Sequence, residues 1–388
     1  MSEHYDIIVV GAGPSGSTAA RFAVEGGTKV LLIERKRDIG IPVRCAEGVS
    51  EKPLREFIEP QSSFIRNYIS RVRLFAPNDI PVVLTPLNSG YILDRRVFDR
   101  KLAEIAAEKG AEIITSCTAI EIEKQSDGTV DLLMFHRGRE IKANCKIIIG
   151  ADGVESRVGR WFGLETVTTI HNTEGALEYV ITHPNINRKF CDFYFGAEIA
   201  PGGYLWVFPG EENTASVGLG CAGDKLVRNS LRNLLNKFID RKYPGAKIIS
   251  EVAGGIPVQA TLKEIIADNL MLVGDAARQV NPMTGAGIIN GMIGGKIAGE
   301  TASNAINNGS WKREDFVGYQ EKWHKRIGTD HQKFFKMKEV INRFSDNSLN
   351  KIADTINSLP EDERTLRKVF MTALFKHPTL LGELRHLF

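Results

Sequence analysis

The sequence contains 388 residues, of which 43% are hydrophobic and 25% are charged. The length predicts two or more domains, and the composition is typical of a soluble globular protein. The formal net charge of +3 is too small to indicate nucleic-acid binding. Residues 322–388 carry 13 Lys or Arg and 8 Asp or Glu, an excess that a solvated helical face explains as well as attraction to an anionic surface.

Five cysteines are dispersed along the chain, and no C-x-x-C occurs. An odd, scattered set favours a reducing compartment over a disulfide framework. The first apolar run, Ile7–Val10, is too short for a secretory signal or a membrane span, and no later uncharged stretch reaches spanning length. We therefore expect a cytoplasmic protein without a metal site, whose contact with the inner face of the cell membrane, if any, is peripheral.

The first predicted elements are a strand, a glycine turn, a helix and a second strand. Ile7–Val10 form the apolar run of a buried strand, and Gly11, Gly13 and Gly16 follow as G-x-G-x-x-G. The first glycine permits the turn, the second lets the backbone approach a pyrophosphate, and the third allows close helix–strand packing. The N-terminus of the helix directs a partial positive charge at that pyrophosphate.

The second strand, Lys29–Ile33, ends at Glu34, where a carboxylate can bind ribose hydroxyls. Its negative charge would repel a ribose 2′-phosphate. The motif therefore predicts FAD or NAD rather than NADP, with a glycine-rich turn that binds nothing as the alternative.

Two later segments repeat the pattern of a buried strand followed by an aspartate. In residues 144–157 the aspartate is Asp152; downstream, Leu270–Val273 precede Asp275 and a helix that opens near Gly285. Each aspartate alone is equally well explained as a helix N-cap. Together with the first motif, they predict a dinucleotide site assembled from three parts of the chain.

This set resembles the FAD-dependent oxidoreductases of the para-hydroxybenzoate hydroxylase superfamily over residues 5–310. The resemblance implies that Asp275 binds a ribityl hydroxyl and that the turn at Gly285 directs a helix N-terminus at the pyrimidine edge of the flavin. Arg95 begins a predicted helix whose apolar face includes Phe98. The resemblance implies that Arg95 reaches the FAD, with a surface charge as the alternative.

Between these segments the hydrophobic pattern changes to period two, which predicts an inserted antiparallel β-sheet. Its predicted strands are residues 189–196, 202–210 and 213–221, with 209–213 as a hairpin turn and a further strand within 71–85. The expected fold is thus α/β, with a discontinuous Rossmann-type FAD-binding domain, a sheet domain and a helical C-terminal region. The expected domains are 1–70, 90–160 and 258–310 for FAD, 71–89 and 161–257 for the substrate, and 311–388 for the helices.

Three aromatic side chains, Tyr204, Trp206 and Phe208, share one face of a predicted strand. They either line an apolar substrate wall or pack into an ordinary core, and the pattern alone favours neither. The surrounding P-x-x-Y-x-W-x-F-P and the stretch Arg44-Cys45-Ala46-Glu47-Gly48 resemble the geranylgeranyl reductase family, especially its archaeal-type digeranylgeranylglycerophospholipid reductases.

The resemblance implies an enzyme that saturates isolated C=C bonds of geranylgeranyl chains in ether phospholipids, using hydride from reduced FAD and a proton. An unactivated alkene cannot hold negative charge, so the site needs an acid and little water. Cys45 is the candidate catalytic residue, with a buried structural thiol as the alternative. The electron donor stays open among NADPH, NADH, ferredoxin and a quinol.

The expected contacts with FAD come from all of these motifs, and the expected contacts with substrate come from the aromatic strand and one proline near the flavin turn. The predicted cofactor-binding residues are Gly11, Gly13, Pro14, Ser15, Gly16, Glu34, Arg35, Arg44, Cys45, Ala46, Gly48, Arg95, Ala119, Asp152, Gly274, Asp275, Gly285, Ala286, Gly287 and Ile288. The predicted substrate-binding residues are Tyr204, Trp206, Phe208 and Pro282.

Two other functions fit the same sequence. A FAD-dependent aromatic hydroxylase would share the scaffold, consume oxygen and accept a phenol. A non-catalytic prenyl-lipid carrier would keep the fold without needing the flavin contacts. The expected partners are a geranylgeranyl lipid and an electron donor, and the helical tail either packs as a subdomain or touches a bilayer.

Overall fold

The computed structural model describes residues 3–84, 89–226, 230–365, 368–369 and 371–372. The predicted helical tail therefore lies partly outside the described residues. The strands are β1 (Glu3–Val10), β2 (Val30–Ile33), β3 (Gly48–Ser50), β4 (Ile65–Ile69), β5 (Arg71–Phe75), β6 (Pro81–Leu84), β7 (Gly90–Leu93), β8 (Glu112–Ile114), β9 (Cys117–Lys124), β10 (Val130–His136), β11 (Arg139–Gly150), β12 (Thr173–Thr182), β13 (Phe190–Tyr194), β14 (Tyr204–Pro209), β15 (Thr214–Ala222), β16 (Lys247–Pro257), β17 (Ile266–Ala267) and β18 (Leu270–Leu272). The helices are α1 (Pro14–Glu25), α2 (Glu51–Leu54), α3 (Arg95–Glu108), α4 (Arg157–Trp161), α5 (Leu231–Lys242), α6 (Ile288–Asn307), α7 (Val317–Trp323), α8 (Thr329–Ile341) and α9 (Asp346–Asn357).

The chain forms two compact units, and each is discontinuous in sequence. The first unit comprises Met1–Val43, Arg95–Thr168 and Pro257–Gln332, and the second comprises Arg44–Asp94, Thr169–Ile256 and Lys333–Phe388. Several boundaries differ from the expected ones. Residues 44–70 and 90–94 belong to the second unit, and residues 161–168 and 311–332 belong to the first. Residues 333–388 belong to the second unit and do not form a separate region.

The first unit is built on an eight-stranded sheet in the order β17-β18-β11-β1-β2-β8, with β10 and β9 continuing from β11. β1 pairs in parallel with β11 and with β2, while β18 and β8 extend the parallel part on either side. Ile7, Ile8 and Val9 of β1 are fully buried, as expected for a central parallel strand. This is the predicted Rossmann-type arrangement.

Helices α1 and α6 pack closely in the first unit because α6 offers glycines to the backbone of α1. A Cβ at Gly295 would lie 2.2 Å from the Ser15 carbonyl oxygen, and one at Gly299 would lie 2.4 Å from the Ala19 carbonyl oxygen. A larger side chain at either position would therefore separate the helices. This packing fixes the N-terminus of α1 beside the segment that follows β18.

The second unit is built on a seven-stranded sheet in the order β16-β12-β15-β14-β13-β5-β6. The predicted strands 189–196, 202–210 and 213–221 are β13, β14 and β15, and they pair antiparallel as expected. One pairing differs from the prediction, since β13 lies parallel to β5. β5 comes from a distant segment rather than from a hairpin, so no tight turn imposes an antiparallel direction.

The two faces of this sheet have different neighbours. On one face Leu205 and Val207 belong to a hydrophobic core with Leu235 and Phe238 of α5. Because side chains alternate along a strand, the neighbouring aromatic residues of β14 point to the opposite face. A short sheet in the order β3-β7-β4 belongs to the same unit.

The C-terminal region is helical as predicted, with α7, a π-helical turn at His324–Gly328, α8 and α9. None of the helices in the described part of the chain combines the length and the apolar character needed to cross a bilayer. The expected fold class, a Rossmann-type FAD-binding domain with an inserted sheet and a helical C-terminal region, is confirmed.

Candidate active site

The glycine turn after β1 forms a cradle in which each glycine has a separate structural reason. Gly11 has a φ of +107°, and a Cβ there would lie 2.3 Å from the Ala151 carbonyl oxygen. A Cβ at Gly16 would lie 1.8 Å from the Gly11 carbonyl oxygen. A Cβ at Gly13 would meet no protein atom within 4 Å. The fold therefore requires the outer two glycines, whereas the middle one contacts no other part of the protein and leaves room for a bound group.

Glu34 fixes the same turn from the end of β2. Its Oε2 accepts a hydrogen bond from the Ala12 N–H at 2.9 Å, and its Oε1 accepts one from the Lys36 N–H at 3.0 Å. The side chain is nearly buried, with 9% exposure. Each carboxylate oxygen keeps further acceptor capacity, which suits the hydroxyls of a ribose.

The segment after β18 meets the start of α1. A Cβ at Gly274 would lie 2.2 Å from the Ser15 hydroxyl oxygen, so the two loops are in direct contact. Asp275 follows, and one of its carboxylate oxygens is 3.5 Å from the position of a Cβ on Gly287. Asp275 thus lies beside the turn that opens α6, where backbone N–H groups at the helix N-terminus are available to an anion.

Arg95 and Asp275 come from distant parts of the sequence and interact electrostatically. Burial raises the pKa of Asp275, and the positive charge of Arg95 partly offsets that rise. The guanidinium of Arg95 also binds Asp99 at 2.6 Å, one turn along α3. Arg95 is therefore held at the first turn of α3, close to the loop after β18, rather than extended into solvent.

Asp152 lies at the end of β11 with one oxygen committed and one without a partner. Its Oδ2 accepts a hydrogen bond from the Val158 N–H at 3.0 Å, while Oδ1 is buried and unbonded. Burial raises the pKa of this carboxyl group, and the Val158 hydrogen bond opposes the rise. An unsatisfied buried oxygen beside the glycine cradle is consistent with a bound polar group.

These features fit a dinucleotide of the FAD type. The cradle and the α1 N-terminus suit a pyrophosphate, Glu34 suits a ribose, and Asp275 with the α6 N-terminus suits a polyol chain and an anionic ring edge. Of the remaining predicted contacts in this unit, Ala119 is buried in β9, Pro282 is buried near the α6 turn, and Arg35 pairs with Glu155 at 3.0 Å on the surface.

In the second unit, Tyr204, Trp206 and Phe208 lie on one face of the sheet, as predicted. They belong to a cluster with Ile69, Ile92, Cys191 and Phe193, which we call the aromatic face. Phe193 contacts both Phe208 and Tyr204, with ring centroids 5.3 Å and 5.6 Å apart. The cluster is apolar at its centre, but it also contains ionisable groups that the sequence analysis did not identify.

Gly218 explains how Trp206 reaches one of these groups. Trp206 in β14 lies opposite Gly218 in β15, and Gly218 lies opposite Glu178 in β12. A Cβ at Gly218 would lie 2.4 Å from the Trp206 ring. Because that side chain is absent, the indole extends across β15, and its N–H donates to Glu178 Oε2 at 3.2 Å.

The Arg44–Gly48 stretch packs on the same face, so the two motifs of the geranylgeranyl reductase resemblance meet in one unit. Ala46 packs against the aromatic cluster, and a Cβ at Gly48 would lie 3.1 Å from the Phe208 ring. The Cys45 sulfur accepts a hydrogen bond from the Glu47 N–H at 3.4 Å. Glu47 adopts a φ of +70°, which is uncommon for a residue with a side chain.

Glu47 belongs to that motif but was not among the predicted site residues. It is only 2% exposed, and its Oε2 accepts hydrogen bonds from Arg66 at 3.0 Å and from the Ser216 hydroxyl at 3.4 Å. Burial, followed by the negative charge of Glu47, raises the pKa of Glu178 to about 8. The hydrogen bond from Trp206 and the charge of Arg66 act in the opposite direction.

A second buried acid, Glu174, lies two residues before Ala176 on the same face. Its Oε1 binds the Lys338 ammonium group of α8 at 2.5 Å. Burial raises the pKa of Glu174, and the charge of Lys338 offsets part of that rise. Burial, followed by the charges of Glu174 and Cys45, also raises the pKa of the Tyr204 phenol.

The predicted site residues therefore fall into two groups. The first unit brings together those of the glycine cradle, the α3 start and the α6 turn, and the second unit brings together Arg44–Gly48 with the aromatic strand. Sequence reasoning missed the buried acids and their basic partners. The alternation of Glu174, Ala176 and Glu178 with apolar neighbours in β12 was the available signal, since it places two carboxylates on one face.

Comparison with protein-family profiles gives two adjoining matches, which together cover residues 6–256. Residues 6–172 match the FAD dependent oxidoreductase family, and residues 172–256 match the geranylgeranyl reductase catalytic domain. The second match contains the strands that carry Glu174, Glu178 and Trp206.

Relatives of known name match the whole chain. A digeranylgeranylglycerophospholipid reductase of Methanothrix thermoacetophila is 40% identical over 386 residues, which is 98% of this chain and 99% of that protein. Digeranylgeranylglycerophospholipid reductase 2 of Methanococcoides burtonii is 41% identical over 393 residues, covering 100% of this chain and 97% of that protein. The crystal structure of a geranylgeranyl bacteriochlorophyll reductase-like protein from Thermoplasma acidophilum has a TM-score of 0.94 at 34% identity and covers 100% of both chains.

Full-length identity of this size, together with the two profile matches, confirms the resemblance found in the sequence and confirms FAD as the cofactor. The chain belongs to the digeranylgeranylglycerophospholipid reductase family of FAD-dependent oxidoreductases.

Proposed function

We propose that this protein saturates the C=C bonds of geranylgeranyl chains in archaeal-type ether phospholipids. The relatives named above are digeranylgeranylglycerophospholipid reductases. The observation that carries the proposal is the aromatic face itself, where the Arg44–Gly48 stretch packs against Trp206 and Phe208. Trp206 and Phe208 are buried among rings and aliphatic groups, an environment that suits a long, branched hydrocarbon better than a small polar substrate.

In this proposal the first unit holds FAD through the cradle, Glu34, Asp152, Asp275 and the α6 turn, and Arg95 supports the loop that carries Asp275. Reduced FAD supplies a hydride when bound. The partial positive charge at the N-terminus of α6 favours the negative charge of the reduced ring. The buried environment of the aromatic face excludes water. A positive charge that develops on the alkene is therefore not captured by a water molecule.

Cys45 is proposed to act at the reacting end of the prenyl chain. Its sulfur orients the Glu47 backbone through the 3.4 Å hydrogen bond, and its ionisation would further raise the pKa of the Tyr204 phenol. Cys45→Ala should therefore retain FAD and lose most of the alkene reduction. Unchanged single-turnover kinetics in Cys45→Ala would remove this residue from the mechanism.

The direct test is an anaerobic incubation of the dithionite-reduced protein with a digeranylgeranylglycerophospholipid. Mass spectrometry of the lipid should show products heavier by successive pairs of hydrogen atoms. A hydroxylase on the same scaffold would instead need oxygen and would add an oxygen atom to a phenol, and a carrier would bind the lipid without changing its mass. An unchanged lipid mass with fully reduced flavin would refute the proposal.

The lipid substrate also has to be reached at a membrane surface. We propose peripheral contact, supported by the basic excess of residues 322–388 in the sequence. Flotation with liposomes of anionic lipid should recruit the protein, and flotation with neutral lipid should recruit less of it. Equal failure of both would remove the membrane contact from the proposal. Anaerobic oxidation of NADPH, NADH, ferredoxin or a quinol by the flavoprotein would identify the donor.

A further inference from the structure

The aromatic face contains a pair of buried carboxyl groups for which the fold alone gives no reason. Glu178 is 6% exposed and Glu47 is 2% exposed. Glu47 accepts a hydrogen bond from Ser216, which lies two residues before the Gly218 that pairs with Glu178, so both carboxyl groups lie on one face of the sheet. The negative charge of Glu47 raises the pKa of Glu178. Two ionised carboxylates at such positions would be strongly unfavourable, so a pair of this kind holds a proton.

Each member of the pair is held by a different partner. Glu178 accepts the indole N–H of Trp206 at 3.2 Å, which is possible only because Gly218 has no side chain. Glu47 accepts from Arg66 at 3.0 Å, so the negative charge is stabilised on this member. The proton therefore belongs on Glu178. Glu47 itself has a left-handed backbone conformation, with φ of +70°, which is uncommon for a residue with a side chain.

We propose that the Glu178–Glu47 pair stores one proton on the aromatic face and that Glu178 delivers this proton to the double bond during reduction. The inference rests on the proposed function and supplies the acid that the reaction requires. Trp206 and Glu47 act as positioning residues for Glu178. This assigns the proton to a carboxyl group rather than to the Cys45 thiol.

Atoms and electrons balance in this step. The O–H bond of Glu178 breaks, and the π electrons of the alkene form a new C–H bond with that proton. The other alkene carbon receives the hydride that reduced flavin supplies, so the alkene is reduced and the flavin is oxidised. The Glu178 carboxylate then recovers a proton from water before the next double bond. Proton transfer by a positioned acid of this kind typically contributes a factor of about 100 to 10,000 in rate.

Several other titratable or charged groups lie on the aromatic face or on the elements packed against it. Arg66 lowers the pKa of Glu178, and Glu47 raises it. The groups on this face and its adjoining segments include Cys45, Glu47, Arg66, Asp94, Glu174, Cys191, Tyr204 and Lys338.

The first test measures the proton itself, independently of activity. Infrared spectra of the purified flavoprotein, recorded across a pH titration, should contain the C=O stretch of a protonated carboxyl group that disappears with a midpoint near pH 8. Glu178→Gln should lack this band, because the amide keeps the shape and the acceptor for Trp206 but cannot hold the proton. Glu47→Gln should move the midpoint to lower pH, since the repelling charge is gone.

Glu251→Gln is the matched control, because Glu251 is a partly exposed carboxylate of the same sheet that pairs with Arg232. It should leave the band unchanged. A band that persists in Glu178→Gln and disappears in Glu174→Gln would place the proton on Glu174 and overturn the proposal. Absence of the band from the wild-type protein at neutral pH would also overturn it.

The second test is the pH profile of single-turnover alkene reduction by pre-reduced protein. Wild type should lose rate as pH rises past about 8, an alkaline limb caused by ionisation of Glu178. Glu178→Gln should react about 100-fold more slowly than wild type below pH 8 and should lack this limb, so the difference should shrink at higher pH. Glu47→Gln should lose rate at neutral pH and recover it at lower pH, a rescue that a purely structural defect would not show. Loss of the alkaline limb in Cys45→Ser, with the limb retained in Glu178→Gln, would assign the proton to Cys45 instead.

The two tests separate this inference from the proposed function. If wild-type protein reduces no alkene although its flavin is reduced, the proposed function is refuted. The role of Glu178 in alkene reduction is then refuted as well. If wild-type protein and Glu178→Gln reduce the alkene equally fast, the proposed function stands and the inference is refuted.

Discussion

The two units of this protein build their candidate sites in opposite ways. In the first unit the site depends on glycines, which have no side chain. Gly11 and Gly16 leave room for neighbouring backbone atoms, and Gly13 leaves room for a ligand. In the second unit the site consists of side chains, namely aromatic rings and the acids Glu47 and Glu178. The site of the first unit binds its ligand through backbone dipoles. The site of the second unit provides an apolar shape and a titratable proton.

This difference determines which substitutions damage each site. Adding atoms should damage the first unit, where space is the functional property. Removing a donor or a charge should damage the second unit, where each buried carboxyl group depends on its neighbours.

Gly13→Ala should weaken FAD binding about 100-fold, equivalent to ~3 kcal/mol, because the new methyl group would occupy the space of the pyrophosphate and displace its hydrogen bonds. The fold should be intact, since that Cβ meets no protein atom within 4 Å and φ at Gly13 is −71°. The measurement is FAD titration of apoprotein, followed by fluorescence. Gly318→Ala in α7 is the control, because its Cβ also meets no protein atom within 4 Å. Wild-type affinity in Gly13→Ala would show that the cradle does not hold the pyrophosphate.

The raised pKa of Glu178 should make the free energy of unfolding decrease as pH rises. Its pKa is raised to about 8, so between pH ~4.5 and ~8 the unfolded chain has released a proton that the folded protein retains. The free energy of unfolding should therefore decrease across this window by at least ~2 kcal/mol, since each tenfold difference in proton affinity between the two states is worth ~1.4 kcal/mol. Denaturant unfolding at pH 5 and pH 8 should show a smaller decrease for Glu178→Gln than for wild type. An identical decrease in both would contradict the assignment.

His331 of the first unit should make the free energy of unfolding increase as pH rises. Burial lowers its pKa to about 4, so the unfolded chain binds a proton between pH ~4 and ~6.5 that the folded protein does not. The free energy of unfolding should rise with pH across this window, again by at least ~2 kcal/mol, and should be lost as the solution is acidified. His331→Gln should flatten that rise without affecting the decrease due to Glu178. A wild-type acid profile in His331→Gln would show that another group causes it.

Gly218→Ala should destabilise the second unit by about 2 kcal/mol, because its Cβ would lie 2.4 Å from Trp206 and 2.7 Å from the Leu177 carbonyl oxygen. Unfolding in denaturant measures the change. Gly254→Ala in β16 is the control, since its Cβ meets no atom within 4 Å. Flavin affinity should remain that of wild type. A fully stable Gly218→Ala would mean that Trp206 does not need to lie across β15.

Trp206→Phe should cost about 1 kcal/mol, because it removes the N–H that Glu178 accepts. The hydrogen bond favours the ionised carboxylate, so the loss should grow as pH rises past 8. Phe208→Leu removes ring area from the same face without touching that bond, and its cost should not vary with pH. Equal pH dependence for the two variants would contradict the role of the indole.

The sequence predicted the first unit more completely than the second for a physical reason. The turn from Gly11 to Gly16, the strand β1 and the acid Glu34 belong to one local segment, so their spacing predicts their geometry. The contact between Trp206 and Glu178 depends on the register of three strands and on Gly218 between them. Residue spacing does not determine that register.

Other differences have the same origin. The parallel pairing of β5 with β13 and the assignment of residues 44–70 to the second unit depend on long-range packing, which a hydrophobic pattern does not specify. Glu47 was visible within the Arg44–Gly48 motif, but nothing in the sequence indicated that its carboxylate would be buried beside another. Buried acids become recognisable as a pair only when the fold brings their strands together.

The proposed function requires that flavin in this protein passes its reducing equivalents to prenyl double bonds. Stopped-flow spectroscopy of the pre-reduced protein under anaerobic conditions can follow this transfer, with a digeranylgeranylglycerophospholipid as acceptor and its fully saturated counterpart as control. Oxidised flavin absorbance should return only with the unsaturated lipid, with one flavin oxidised for each double bond lost. Flavin that stays reduced with the unsaturated lipid, or that reoxidises equally with the saturated one, would contradict the proposed function.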